Sequence, residues 1–305
     1  MVVLLTGASG FVGAHLRKRL QNHPLVKTLI ATSPNDQYNP CDIANPSDIK
    51  ALITKFKPDV VFHLAAQSNV AESFKNPNST IHVNFLGTLN LLEAIKQSAH
   101  KSCFIYISTG EVYGETLNFE KPTTELARLQ PINPYATSKA AADILVGQYG
   151  VSSSNIKTIR LRPFNHFGPG QSSSFVIPAF LNQLHFIKKN KSEPIIKVGD
   201  LSPKRDFLDV RDIINGYLII FDNLDRIKSG DIFNLCSGRS ISIQDVLDIL
   251  IKKMNVNVEV VKDPDRFRPS EIPDVFASNE KIKKLGWEPQ HSIEQSIDHL
   301  IQSLP

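Results

Sequence analysis

The stretch Val2-Val3-Leu4-Leu5-Thr6-Gly7-Ala8-Ser9-Gly10-Phe11-Val12-Gly13 decides the reading of the fold. A short apolar run ends in three glycines spaced three apart, and an apolar-periodic stretch, residues 14–21, follows at once. That order reads as strand, tight turn and helix. Glycines let the backbone come close to a phosphate, and the first turn of the helix presents unpaired N–H groups and a partial positive charge. Gly7, Gly10, Phe11, Val12 and Gly13 are therefore candidates to hold the pyrophosphate of a dinucleotide.

Working outward, short β-branched runs at 28–31, 60–64, 104–107 and 157–161 alternate with longer amphipathic stretches at 47–56, 84–97 and 134–148. Alternation of this kind predicts an α/β fold, a Rossmann-type doubly wound parallel sheet. The strand runs are continuous rather than alternating, as helices on both faces require. Past Arg162 the pattern changes. Pro and Gly cluster in 162–170, and isolated helices are expected at 178–189, 210–222 and 243–254. The expected organisation is a nucleotide-binding domain over 1–162. A smaller, mainly substrate-binding region over 163–305 would follow, some of its segments returning to the first domain.

A net charge of +4, spread along 305 residues without Lys/Arg blocks, argues against nucleic acid as partner and leaves room for a pocket that takes an anion. Cys41, Cys103 and Cys236 are far apart, so buried thiols in a reducing cytoplasm are expected rather than a disulfide framework. Residues 2–5 follow Met1 without the basic region of a signal peptide, and no apolar stretch reaches membrane-spanning length. No residue pattern suggests a metal site. The tripeptides at 78–80 and 190–192 match a glycosylation pattern too common to carry weight.

Tyr135 and Lys139 stand four apart at the start of a predicted helix, so they share a face. An ammonium there would lower the tyrosine's affinity for its proton. The phenol could then exchange a proton with a carbonyl or alcohol oxygen while hydride moves to or from a nicotinamide. Thr109, at the end of the run 104–107, offers a hydroxyl for the same oxygen, and Ser108 is the alternative. The second strand ends Leu29-Ile30-Ala31-Thr32-Ser33, with no carboxylate to select NAD and no arginine to grip a 2′-phosphate. Either cofactor, NADP or NAD, is compatible, and the missing carboxylate favours NADPH.

The spelling Thr6-Gly7-x-x-Gly10-x-x-Gly13, with Tyr135-x-x-x-Lys139, resembles the extended short-chain dehydrogenases/reductases, the NAD-dependent epimerase/dehydratase family. The resemblance runs over the whole chain. Leu64-Ala-Ala-Gln-Ser-Asn-Val70, 162–171, Lys204-Arg-Asp-Phe-Leu-Asp209, Asn234-Leu-Cys-Ser-Gly-Arg239 and Arg268-Pro-Ser-Glu-Ile-Pro273 resemble its GDP-sugar branch. The nearest pattern there is that of the reductases forming GDP-6-deoxy-D-mannose (GDP-D-rhamnose), with the GDP-mannose 4,6-dehydratases close by.

The resemblance implies roles. Asp42 and Ile43 would meet the adenine; Leu64, Ala65, Ala66 and Asn84 would line the cofactor; Tyr135, Lys139 and Arg162 would also touch it. Gln67, Thr109, Asn165, Val176, Arg205, Arg268 and Glu271 would contact the sugar nucleotide. Arg205 and Arg268 would take the diphosphate, since a guanidinium pairs two oxygens at once. Glu111 is the base in dehydratases, while Gly110 stands where some sugar-nucleotide dehydratases carry an acid.

The expected reaction is reduction of a C4 ketone by NAD(P)H. Dehydration, epimerisation and a non-catalytic dinucleotide sensor are the alternatives. Helices at 84–97 and 134–148 resemble those through which family members pair, implying a homodimer.

Overall fold

The computed structural model describes residues 1–37, 39–117, 121–267 and 272–304. Strand β1 (Val2–Thr6) sends Val3 and Leu5 into one apolar cluster and Leu4 into another, as a strand buried on both faces must. The chain continues through α1 (Phe11–Leu20), β2 (Thr28–Thr32), α2 (Pro46–Phe56), β3 (Val60–His63), α3 (Val70–Lys75), α4 (Pro77–Ile81), α5 (Gly87–Ser98), β4 (Ser102–Ile107), α6 (Pro134–Ser152) and β5 (Ile156–Pro163). The second half comprises β6 (Asn165–Phe167), α7 (Val176–Lys188), β7 (Ile195–Val198), β8 (Lys204–Arg205), β9 (Phe207–Asp209), α8 (Val210–Asp222), β10 (Asp231–Leu235), β11 (Ile241–Ser242), α9 (Ile243–Met254), β12 (Glu259–Lys262), β13 (Asp274–Val275), α10 (Glu280–Lys283) and α11 (Ile293–Gln302).

Six strands form one sheet in the order β10-β5-β4-β3-β1-β2, every pair parallel. The doubly wound α/β expectation is met. From β1 the chain turns to β2 on one side and then to β3 on the other, so the crevice for a ligand opens at the carboxyl ends of β1 and β3. Leu16 and Leu20 of α1, with Ile213, Ile214 and Phe221 of α8, cover one face. Ile49 and Ile53 of α2, Leu91, Leu92 and Ile95 of α5, and Val146 of α6 cover the other. Each such side chain contributes about 1.5–3 kcal/mol of burial. A third cluster, with Phe180 and Leu184 of α7, Leu247 and Leu250 of α9 and Leu300 of α11, builds the second half. From the second half of the chain, β10 adds an edge to the sheet beyond β5, and α8 packs beside α1.

Two local features seat the site. Asn133 caps α6 by accepting from Ala136 N at 2.7 Å, with Pro134 in the first turn, so the helix begins beside Tyr135. The predicted helix 84–97 is more than an α-helix: His82–Leu86 is a π turn, which carries Asn84 into the interior at 1% exposure. Cys41, Cys103 and Cys236 are buried and unpaired with one another. Among the described residues no helix is long and apolar enough to cross a membrane.

Candidate active site

The glycine turn closes on itself and on the strands beside it. Gly10 N donates to Gly7 O at 3.0 Å, Ala14 N to Gly10 O at 2.8 Å, and Ala8 N to Thr32 O at 3.1 Å. Gly7 adopts φ +70°, and a Cβ there would lie 2.7 Å from Ala65 N; a Cβ on Gly13 would lie 2.0 Å from Gly7 O. Gly10 differs: its Cβ would meet only Gly7 O, at 3.3 Å, so this position faces open space. Gly10 also caps α1 without any side-chain bond and no acidic residue occupies the first turn, as is also the case at α4, α5 and α7. An uncapped helix start behind a glycine cradle suits a dinucleotide phosphate.

Phe11 locks the turn to the second half. Its ring stacks on His166 at 6.1 Å, and His15 Nε2 donates to Pro169 O, 2.9 Å away. Leu64, Ala65 and Ala66 form the facing loop, with Ala65 N donating to Thr6 Oγ1 at 3.3 Å. Asp42 is exposed and its Oδ1 accepts from Ala44 N at 2.9 Å; Ile43 is buried against Gly87. After β2, Thr32 Oγ1 donates to Asn39 O at 2.5 Å and Asp36 accepts from Asn39 N at 2.8 Å, so the nearest carboxylate lies in the turn rather than at the strand end.

Thr109, Glu111, Tyr135 and Lys139 are brought together at the carboxyl end of β4. Thr109 Oγ1 accepts from Glu111 N at 3.2 Å, and the Thr109 hydroxyl lies on the Tyr135 side and favours loss of the phenol proton. Glu111 Oε2 accepts from Asn133 Nδ2 at 3.1 Å. Lys139 is 3% exposed; its Nζ donates to Ile107 O at 2.6 Å and sits 4.3 Å from the centre of the Tyr106 ring. Burial pulls the Lys139 ammonium down to about 7, against the opposing pull of Asp143. The expectation that Lys139 lowers Tyr135 is not met in this state: burial and the Glu111 carboxylate raise Tyr135, and only the Thr109 hydroxyl acts the other way. The ammonium is held by Ile107 O instead.

Three expected contacts need correction. Arg162 is 2% exposed and its donors serve the protein: Nε and Nη2 reach Asp143 at 3.0 and 2.8 Å, and Nη1 reaches Tyr113 Oη at 2.9 Å. Its side chain is an internal strut and not a cofactor ligand. Gln67 spends its carboxamide on Thr80 Oγ1, Asn69 O and Asn69 N, which staples its own loop to α4. Asn84 clamps Gln67 N and O at 2.8 and 3.0 Å and donates to Ser138 Oγ at 2.9 Å, so it shapes the cofactor loop from behind.

On the sugar side, Asn165 begins β6 and Val176 begins α7, both partly buried. Arg205 Nη1 donates to Lys204 O and Ile272 O at 2.7 and 2.8 Å. Arg268 and Glu271 lie outside the described residues.

The parts played by two residues within the quoted motifs were not legible in the sequence. His63 accepts from Thr6 Oγ1 at 2.7 Å and contacts Thr88 Oγ1 at 3.0 Å; because Thr88 donates onward to Asn84 O, the imidazole must donate from Nε2. Burial, assisted by Lys139, pulls His63 down to about 3. Asp206 is wholly buried, accepts from Ser237 N at 2.7 Å and Gly238 N at 2.9 Å, and is pushed up to about 6 by burial. Gly110 is filled from outside: a Cβ there would lie 2.8–2.9 Å from the buried Phe164 ring.

A doubly wound sheet with a glycine turn at its switch point and a tyrosine one turn ahead of a buried lysine is the plan of the extended short-chain dehydrogenases/reductases, and this chain is an enzyme of that class. It belongs to the GDP-mannose 4,6 dehydratase family, whose model matches residues 4–300. It is 37% identical over 296 residues to the GDP-6-deoxy-D-mannose reductase of Pseudomonas aeruginosa, covering 97% of this chain and 94% of that relative. The structure of RMD from Pseudomonas aeruginosa complexed with NADPH matches with TM-score 0.87 and 35% identity, covering 99% and 98% of the two chains. The Thermus thermophilus UDP-glucose 4-epimerase in complex with NAD matches with TM-score 0.85 and 26% identity, covering both chains fully.

Proposed function

We propose that this enzyme reduces the C4 ketone of GDP-4-dehydro-6-deoxy-D-mannose, giving GDP-6-deoxy-D-mannose, at the expense of NADPH or NADH. Gly7, Gly10, Phe11, Val12 and Gly13 would hold the pyrophosphate of the cofactor, with Asp42, Ile43 and the Leu64–Ala66 loop along its length. When bound, a reduced nicotinamide supplies the hydride that C4 accepts, and is itself oxidised. Thr109 orients the ketone oxygen, and Tyr135 Oη gives up its proton to that oxygen as the C–O double bond becomes a single bond. Lys139, one turn further along α6, would offset the negative charge left on the phenol. Arg205 and Arg268 would take the diphosphate, and Asn165 the sugar.

The Phe164 ring packed on Gly110 leaves no room for the acid that some sugar-nucleotide dehydratases carry at that position, which weighs for reduction. Glu111, beside Tyr135 and held by Asn133, supports dehydration of GDP-mannose as the second reading. Similarity to the reductase of Pseudomonas aeruginosa supports the first. A homodimer through α5 and α6 fits the exposed Ile144 and Val151 on α6, which are 60% and 87% accessible. Work in the cytoplasm, within polysaccharide biosynthesis, fits three unpaired thiols and a nucleotide-sugar substrate.

Purified enzyme with NADPH or NADH and the keto sugar should oxidise one cofactor per sugar reduced, followed by nicotinamide absorbance. Tyr135→Phe should lower turnover by about 10²–10⁴-fold while still binding cofactor. Conversion of GDP-mannose to the keto sugar without net cofactor loss would instead establish the dehydratase.

A further inference from the structure

Helix α6 carries a third group in line with the pair at its start. Tyr135, Lys139 and Asp143 follow at intervals of four, so they occupy one face on successive turns. Asp143 is wholly buried and is not free to turn: Arg162 grips both of its oxygens at 3.0 and 2.8 Å, and Arg160 Nη1 adds a bond at 3.1 Å. Arg160 and Arg162 come from β5, two residues apart, and Arg160 Nη2 is anchored on Gly230 O at 2.6 Å. Around the Lys139 ammonium the remaining titratable groups are the Tyr106 phenol from β4 and the neutral imidazole of His63 from β3. Asp143 thus supplies the carboxylate that counters the desolvation of Lys139.

We infer that Asp143 is a positioning residue acting through Lys139: its carboxylate, fixed by two arginines, keeps the buried ammonium charged and sets the pH range in which the Tyr135–Lys139 pair works. The inference builds on the reading of Tyr135 and Lys139 as the working pair, but the charge on Lys139 is a property of the protein alone. Asp143 and Arg160 act on it with opposite sign. Removing the carboxylate takes away the counter-charge of Lys139, leaves buried Arg162 and partly exposed Arg160 unneutralised, and favours loss of the Lys139 proton. Removing Arg160 unmasks Asp143 and favours its retention.

The test is a titration of Lys139 in the protein without cofactor or substrate, by NMR on chains labelled with carbon-13 at lysine Cε, with Lys139→Met as the assignment blank. Asp143→Asn should move the Lys139 midpoint down by roughly one pH unit or more, and Arg160→Gln should move it up. A residue that only holds the helix in place would not give shifts of opposite sign. The alkaline limb of reductase activity should follow in the same directions, because both the ammonium and the donating phenol are needed protonated. Midpoints unchanged, or shifted the same way in both variants, would overturn the inference. If Asp143→Asn does not fold, Arg160→Gln decides alone, and a midpoint that stays or falls rejects the proposal. Absence of reductase activity beside opposite NMR shifts would instead reject the substrate assignment and leave the role of Asp143 intact.

Discussion

The two sides of the crevice are held together by different means. On the nucleotide side, the turn from Gly7 to Gly13 is closed by backbone bonds within itself and to the adjacent strand. On the sugar side, β8, β11 and β13 are two residues long each, and the loop at Ser237 and Gly238 hangs on one buried carboxylate, Asp206. The donors at Asp206 lie 31 and 32 residues away along the chain. One side is fixed by backbone geometry that any suitable turn sequence would reproduce. The other depends on a side chain that must be present at one place.

That contrast can be broken at its weaker side first. Asp206→Ala removes a buried carboxylate and the two charge-assisted bonds it accepts from Ser237 N and Gly238 N, and a loss of about 3 kcal/mol in urea unfolding is expected. KM for the sugar nucleotide should rise more than KM for the cofactor; equal rises would mean that Asp206 does not divide the two sides. On the nucleotide side, Gly13→Ala drives a methyl against Gly7 O and should cost about 2 kcal/mol of cofactor affinity, roughly thirtyfold in Kd. Quenching of intrinsic fluorescence by NADPH would read it, and an unchanged Kd would show that the turn can open without loss.

The smallest effect sharpens the comparison through pH. His63 lies on the nucleotide side with its affinity for a proton lowered to about 3 from 6.5. Its stabilising contribution is therefore complete above about pH 6.5 and lost as pH falls toward 3. His63→Gln should remove about 1 kcal/mol of the stability loss between pH 6.5 and pH 5.5. Urea midpoints measured at those two pH values would show it, and parallel curves for the two proteins would assign the acid sensitivity elsewhere.

Legibility in the sequence followed the same division. Residues 210–222 and 243–254 were predicted as helices and form α8 and α9 with those bounds, since Asp209 and Ser242 cap them and their apolar residues keep the helical period. Gly7, Gly10, Gly13, Tyr135 and Lys139 were singled out by spacing together with the strands and helices predicted around them, because each pattern is complete within one turn or one helix. The π turn at His82–Leu86 has no compositional mark. Arg162 was misassigned because its partners, Asp143 and Tyr113, lie 19 and 49 residues away, and only the folded chain brings them together. Gln67 was misread for a related reason, its partner Thr80 sitting on a helix beyond the loop. Sequence shows the local half of a site; the struts behind it come from pairs distant along the chain.

The position of β10 has a consequence for synthesis. Its pairing with β5 completes the sheet, yet Asp231–Leu235 leaves the ribosome on the order of ten seconds after Pro163. Throughout that interval the outer edge of β5 has unpaired N–H and C=O groups, the kind of edge that recruits strands from other chains. The segment from β6 to α8 is made within that window, so the nascent chain is most prone to aggregate before β10 emerges to cover the edge.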